Sequence, residues 1–396
     1  MLRKTTITVI TVVLAVLAGC QSHAQNKKAA KERWAKTSAQ IKLGLAQQEY
    51  DNGRIKDAAK TIRECISADP AMPAARLLSG KLLLTEENLE DAAKEFELAV
   101  ELDEKLDEGW YWLGVTAQEQ GRIEQAGLYY HKALTLKHTN VDYILAVAEI
   151  YAAQEEFEQA VRLLEEKIKA MPKEVSLKVA AADLMHRCGR NEQAVELYKR
   201  AMLMTSDNSY IAEALGYCYV FNGKWSEAAE IFNGLIERCE DKRMKRLYLQ
   251  VTALCSMNSA QYDRAVDCYS KLSVEERDNA EIWVKMGQAM LGAGMTDRAF
   301  RCGQKAFALR PGYGDATALI GCAQYAEGDY AAAAKSFEKI GSDKKNRGLS
   351  WLMRARCYEH LGEISKAERA YKKALEINPD SELGDFLAKD KDVRNW

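Results

Sequence analysis

The stretch Asp107-Glu-Gly-Trp110-Tyr111-Trp-Leu113-Gly114-Val-Thr-Ala117-Gln-Glu-Gln-Gly121-Arg-Ile-Glu-Gln-Ala126-Gly-Leu-Tyr-Tyr130-His-Lys-Ala133 decides the fold. Trp110, Leu113, Gly114 and Ala117 recur at i, i+3, i+4 and i+7, which places them on one face of a helix. Ala126, Tyr130 and Ala133 do the same for a second helix. Gly121, between the two runs, suits the left-handed residue that ends a helix. The segment predicts two antiparallel helices joined by a short turn.

Working outward, the same pattern returns in a 34-residue frame whose units open at Ala39, Pro73, Asp107, Val141, Val175, Ser209, Arg246, Ala280, Gly314 and Gly348. Position 20 is Ala in all ten units, from Ala58 and Ala92 to Ala333 and Ala367. Position 8 is always Gly or Ala, and position 15 is Gly in seven units. Position 24 is large and apolar or aromatic in nine, as at Phe96, Tyr130, Phe232, Phe337 and Tyr371. Four of the five prolines (Pro70, Pro172, Pro311, Pro379) stand at position 32. Small residues at 8 and 20 let two helices approach closely, and a bulky residue at 24 fills the gap between units. Pro at 32 stops the second helix. Copies at a fixed period imply units that bury their apolar faces by stacking.

These positions resemble the tetratricopeptide-repeat (TPR) signature, and the third and eighth units match it most closely. The eighth carries Trp283, Met286, Gly287, Ala299, Ala306 and Pro311. The resemblance implies an all-α fold: a right-handed α-solenoid of ten TPR hairpins over residues 39–379. Residues 380–396 are expected to form a C-terminal capping helix and tail, since the open ends of solenoids need a cover. Two departures stand out. Three extra residues near Cys239–Lys245 predict a longer turn between units six and seven. Gly303 replaces the bulky residue of unit eight, so either a soft joint or filling by Phe300 or Phe307 is expected.

The N-terminus carries an address. Arg3 and Lys4 precede an apolar run from Ile7 to Leu17, which ends at Ala18-Gly19-Cys20. That is the plan of a secretory signal. Leu17-Ala18-Gly19-Cys20 resembles the lipobox of bacterial lipoproteins, which implies that residues 1–19 are removed and Cys20 is acylated. Gln21 after the lipid implies the outer membrane, with the chain facing the periplasm. Residues 20–38 hold Lys27, Lys28, Lys31, Arg33 and Lys36 against Glu32. They read as a hydrophilic basic tether, either a solvated spacer or a segment drawn to anionic head groups.

Composition limits the function. Lys+Arg is 56 against Asp+Glu 58, which removes the basic footprint of a general nucleic-acid binder. No phosphate loop, Gly-x-Ser-x-Gly or His-Glu-x-x-His motif occurs. The five histidines carry no metal-ligand spacing, so no catalytic residue, metal or cofactor is expected. Beyond Cys20 there are nine cysteines with no Cys-x-x-Cys pair, read as small buried hydrophobes in preference to a disulfide framework. Equivalent positions on adjacent units should lie about 8–10 Å apart, too far to bridge Cys218 to Cys255 or Cys268 to Cys302.

The family resemblance implies that positions 2, 5, 9 and 12 face a concave groove for an extended peptide or partner helix. These positions hold eight acids against Lys81 and Arg356, with five tyrosines beside them. The candidate partner-binding residues are Tyr111, Glu149, Asp183, Glu213, Tyr217, Gln250, Gln288 and Tyr325. Acids beside tyrosines suit a basic or mixed polypeptide and disfavour polyanions. No unit has the Lys and Asn of a chaperone-type carboxylate clamp. The expected function is that of a non-catalytic, lipid-anchored interaction scaffold of the bacterial envelope, similar in plan to TPR lipoproteins of pilus, secretion and outer-membrane assembly. The alternatives are an adaptor for cell-wall enzymes or glycan, and an enzyme with an unrecognised site.

Overall fold

The computed structural model describes residues 2–206, 208–340 and 347–377, with side chains from Lys27 onward. The expected capping helix therefore lies outside the described residues. Twenty helices and no strand occur among the described residues. They fall into two compact units, residues 1–188 and 189–396.

The first unit holds α1 (Leu2–Asp51), α2 (Ile55–Ala68), α3 (Pro73–Thr85), α4 (Leu89–Leu102), α5 (Asp107–Glu119), α6 (Ile123–Leu136), α7 (Val141–Ala153), α8 (Phe157–Ala170) and α9 (Val175–Arg187). The second opens with α10 (Asn191–Met202), α11 (Ser209–Phe221), α12 (Trp225–Arg238), α13 (Lys242–Asn258), α14 (Tyr262–Glu275) and α15 (Ala280–Gly292). It continues with α16 (Thr296–Leu309), α17 (Gly314–Ala326), α18 (Tyr330–Glu338), α19 (Arg347–His360) and α20 (Ile364–Ile377). Within each unit successive helices pack as hairpins, the stacking of a tetratricopeptide-type α-solenoid.

Side-chain size sets the stacking. The position-20 alanines are at most 5% exposed. Phe96, Phe232 and Phe337 are fully buried, each contributing roughly 1.5–3 kcal/mol of apolar burial. Their rings lie against the glycines at position 8. An added Cβ on Gly216 or Gly321 would stand 2.8 Å from a ring carbon of Phe232 or Phe337. Glycine at 8 and an aromatic at 24 are thus two halves of one contact.

The turn inside each hairpin is left-handed even where glycine is absent. Gly53, Gly121, Gly189, Gly223, Gly294, Gly328 and Gly362 have φ between 67° and 84°. Glu87, Glu155 and Ala260, at the same position in the other three units, have φ of 59°, 61° and 55°. The fold imposes this conformation, and the sequence relieves it with glycine in seven units of ten.

Both departures resolve differently from expectation. The three extra residues lengthen a helix, not a turn: α13 has 17 residues where the other first helices of the second unit that begin and end with their frame have 13. Asp241 caps the added turn, its carboxylate accepting from the Arg243 and Met244 amides at 2.7 and 3.1 Å. The space beside Gly303 is not left open, and the atoms nearest to it come from neither Phe300 nor Phe307. Helix α17 closes in instead, with Ile320 and the Ala316 carbonyl against Gly303 and Leu319 against Gly287. Two glycines on facing helices leave room for the next repeat to move inward, and it does.

None of the nine described cysteines forms a disulfide among the described residues. Cys65, Cys218, Cys255 and Cys357 are fully buried, and Cys268 and Cys302 nearly so. Burial pushes the Cys255, Cys268, Cys302 and Cys357 thiols up to about 11, so they behave as packing groups.

Candidate functional site

In the first unit, α5, α6 and α7 enclose an open pocket of about 350 Å³. Six of its nine lining residues (Tyr111, Val115, Gln118, Asp142, Leu145, Glu149) stand at the positions expected to face a groove. Regular helices of 13 residues project these side chains from one side because 2, 5, 9 and 12 follow the helical period. The structure therefore brings Tyr111 and Glu149 together, with Asp142 lining the same pocket.

The pocket is acidic and aromatic. Asp142, Glu149 and Glu119 supply carboxylates, no cation lines it, and neither Asp142 nor Glu149 has an ion-pair partner among the described residues. Burial first, then the charges of Asp142 and Glu149, push the Tyr111 phenol above its ordinary range. Tyr111 stacks on Tyr143 with centroids 5.1 Å apart and tilts against Tyr130 at 5.6 Å. The Tyr130 hydroxyl donates to Gln118 Oε1 at 2.9 Å, which fixes the pocket floor. Tyr143 in turn donates to Asp107 at 2.8 Å, tying one repeat to the next.

The groove's base in this unit is already engaged. Lys81 pairs with Glu108 and lies 5.4 Å from the Trp112 ring centroid, while Trp112 Nε1 donates to Glu108 at 3.3 Å. It leaves the Tyr111 pocket uncompensated. Asp183, on α9, is half-buried and does not line this pocket.

The second unit scatters its candidates. Glu213 accepts from the Tyr248 hydroxyl at 2.9 Å, and Tyr217 packs edge-on against Phe232 at 5.1 Å. Both are thus partly committed to holding repeats together. Gln250 is exposed on α13. Gln288 lines an open pocket of about 710 Å³ with Glu281, Lys285, Arg310, Tyr313 and Asp315. Tyr325 bonds to His360 Nε2 at 3.0 Å, and His360 stacks flat on Tyr330 at 4.2 Å.

Sequence reasoning missed Tyr130 and Glu119 in the first pocket, and Arg310 and Tyr313 in the second. Tyr130 read as a packing residue at position 24, and its polar tip gave no separate signal. Arg310–Gly314 read as a turn, which it is, with Gly312 at φ 79°. That turn also walls the pocket, the Arg310 guanidinium lying 4.8 Å from the Tyr313 ring centroid. No group of three or more metal-ligating side chains occurs among the described residues.

Tandem helical hairpins with polar, aromatic-lined pockets define a protein-interaction repeat scaffold. Tetratricopeptide-repeat family models match residues 43–107, 107–140, 132–310 and 324–389, and the chain belongs to that family. It is similar to Tetratricopeptide repeat protein 8 of Caenorhabditis elegans, 24% identical over 216 residues, spanning 54% of this chain and 40% of that protein. It is also similar to Lipopolysaccharide assembly protein B of Escherichia coli K12, 21% identical over 290 residues, spanning 71% of this chain and 70% of that one. Among solved structures, Pseudomonas aeruginosa pilF aligns with a TM-score of 0.47 at 16% identity, covering 54% of this chain and 97% of that chain.

Proposed function

We propose that this protein is a non-catalytic scaffold of the bacterial envelope that binds basic segments of polypeptide partners. Residues 1–19 serve as the signal, Cys20 carries the lipid, residues 20–38 lead to the body, and ten units fill residues 39–379 with a cap beyond. The lipid holds the chain on the outer membrane, facing the periplasm, where it gathers components of an assembly machine.

The pocket around Tyr111 carries this reading. Three carboxylates and two phenol rings line it without a cation, a setting that takes a Lys or Arg side chain between charge and aromatic faces. A polyanion would meet only repulsion there. A peptide laid along the groove positions gains this anchor and shape complementarity from the rest.

A photo-cross-linking residue at Gln118 tests the reading in living cells. The expected product is an adduct to a Lys- or Arg-containing segment of another protein, lost when Glu149→Lys and Asp142→Lys are introduced together. Adducts that persist in the charge-reversed chain would overturn it. So would retention of the chain on isolated cell wall with no protein adduct, which would favour the glycan-adaptor alternative.

A further inference from the structure

Helix α1 runs without interruption from Leu2 to Asp51, and its two sides meet different surroundings. Ala39 and Ala46 are fully buried and pack with Ala58, Ile62 and Cys65 in the first hairpin, with Leu43 and Tyr50 beside them. On the opposite side Trp34 is 74% exposed, Ile41 70% and Leu45 45%. These three stand at i, i+7 and i+11, which at 3.6 residues per turn keeps them within about 40° of one another. Lys27 and Lys31, at i−7 and i−3 from Trp34, continue the same stripe and are exposed. Lys28 and Arg33 are exposed on its two flanks, roughly 100–120° round the helix from Trp34, while Lys36 and the single acid Glu32 are exposed towards the opposite side.

We propose that this stripe lies on the surface of an anionic lipid bilayer, with Trp34, Ile41 and Leu45 in the interfacial region and the lysines among the head groups. It rests on the proposed acylation of Cys20, which brings α1 to a membrane. Charge selects the occupant: Lys27 and Lys31 on the stripe, with Lys28 and Arg33 flanking it and the one acid, Glu32, on the far side, suit anionic lipid, while an exposed Trp beside aliphatic residues suits the head-group boundary. The register agrees. Cys20 precedes Trp34 by fourteen residues on the same helix, close to four whole turns. No helix among the described residues is long and apolar enough to cross a membrane. The first repeat would then be held in one orientation, not swung on a single lipid.

The test uses the full acylated chain on phosphatidylethanolamine–phosphatidylglycerol vesicles carrying brominated acyl chains. Wild-type tryptophan fluorescence should be quenched, and Trp34→Phe should lose that quenching while remaining vesicle-bound. Lys27→Gln, Lys28→Gln and Lys31→Gln together should reduce it, as should replacing the phosphatidylglycerol with phosphatidylcholine. Quenching unchanged by Trp34→Phe in a vesicle-bound chain overturns the docking and leaves the lipid anchor standing. A wild-type chain that does not stay with the vesicles overturns the anchor, and the docking with it. If Ile41→Ser and Leu45→Ser convert a dimer to a monomer without altering quenching, the stripe belongs to a second copy and the proposal fails.

Discussion

Ile320 occupies the space that a side chain on Gly303 would need: an added Cβ would lie 2.7 Å from Ile320 Cγ1 and 3.3 Å from the Ala316 carbonyl oxygen. Neither neighbour is the free end of a flexible side chain, so the helix itself must shift. Helix propensity favours Ala over Gly by about 0.5–1 kcal/mol, but overpacking costs about 1–3 kcal/mol. Gly303→Ala should therefore destabilise by about 1–2 kcal/mol in chemical denaturation. A gain in stability would show that α17 can retreat at little cost.

The left-handed residues that are not glycine should behave oppositely. Ala260 holds φ 55° in the turn between α13 and α14, a conformation that costs an L-residue about 1–2 kcal/mol. Glycine loses part of that advantage through its freer unfolded state. Ala260→Gly should stabilise by roughly 0.5–1 kcal/mol, read as a higher denaturation midpoint. The same substitution at Gly-bearing turns in reverse, Gly294→Ala, should lower it.

Tyr143 joins two repeats through one hydrogen bond to Asp107. A bond to a charged acceptor contributes about 1.5–3 kcal/mol, so Tyr143→Phe should lose about 1–2 kcal/mol. Burial first, then the bond to Asp107, raises the phenol far above its ordinary range. A raised folded-state pKa means the contribution is intact below the unfolded value of about 10. It declines as pH rises beyond that value. Denaturation at pH 8 and pH 10.5 should show a steeper alkaline loss for wild type than for Tyr143→Phe.

The buried thiols make a second alkaline prediction. Cys255, Cys268, Cys302 and Cys357 are held up to about 11 by burial. Only thiolate reacts quickly with iodoacetamide. At pH 8 these four should stay unlabelled in the native chain and react fully in denaturant. Their stabilising contribution is whole below the unfolded thiol range and fades as pH climbs towards 11. Peptide mapping that found Cys268 alkylated early in the native chain would contradict the packing described here.

Cys20→Ala should abolish acyl labelling and release the chain from the membrane fraction. Retention of that variant in the membrane would favour an uncleaved signal anchor over a lipid.

The repeat frame was legible because it uses steric facts that the sequence must repeat: small at 8 and 20, bulky at 24, left-handed at 15. The pocket around Tyr111 was legible in part, since the family resemblance singled out positions 2, 5, 9 and 12, and these handed over Tyr111 and Glu149. Tyr130 was not, because one side chain there does two jobs, packing by its ring and bonding by its hydroxyl. The closing of α17 on Gly303 was also hidden. It depends on how far a neighbouring helix moves, and no pattern within unit eight encodes that distance. Glu213 and Tyr217 had the right composition for a groove, and the contacts with Tyr248 and Phe232 that partly commit them to cohesion gave no signal in the sequence.

The unbroken course of α1 has a mechanical consequence. From Gln21 to Leu43 the sequence has neither Gly nor Pro, so nothing in it favours a hinge ahead of the first hairpin. The eighteen residues 21–38 would reach about 27 Å as helix and about 60 Å if drawn out straight. A pull on the N-terminus is then delivered to Ala39 and Ala46 as torque on the first hairpin, not absorbed as slack. If the chain is tethered at Cys20 as proposed, load would be felt first at α2, and the first repeat becomes the one on which force acts.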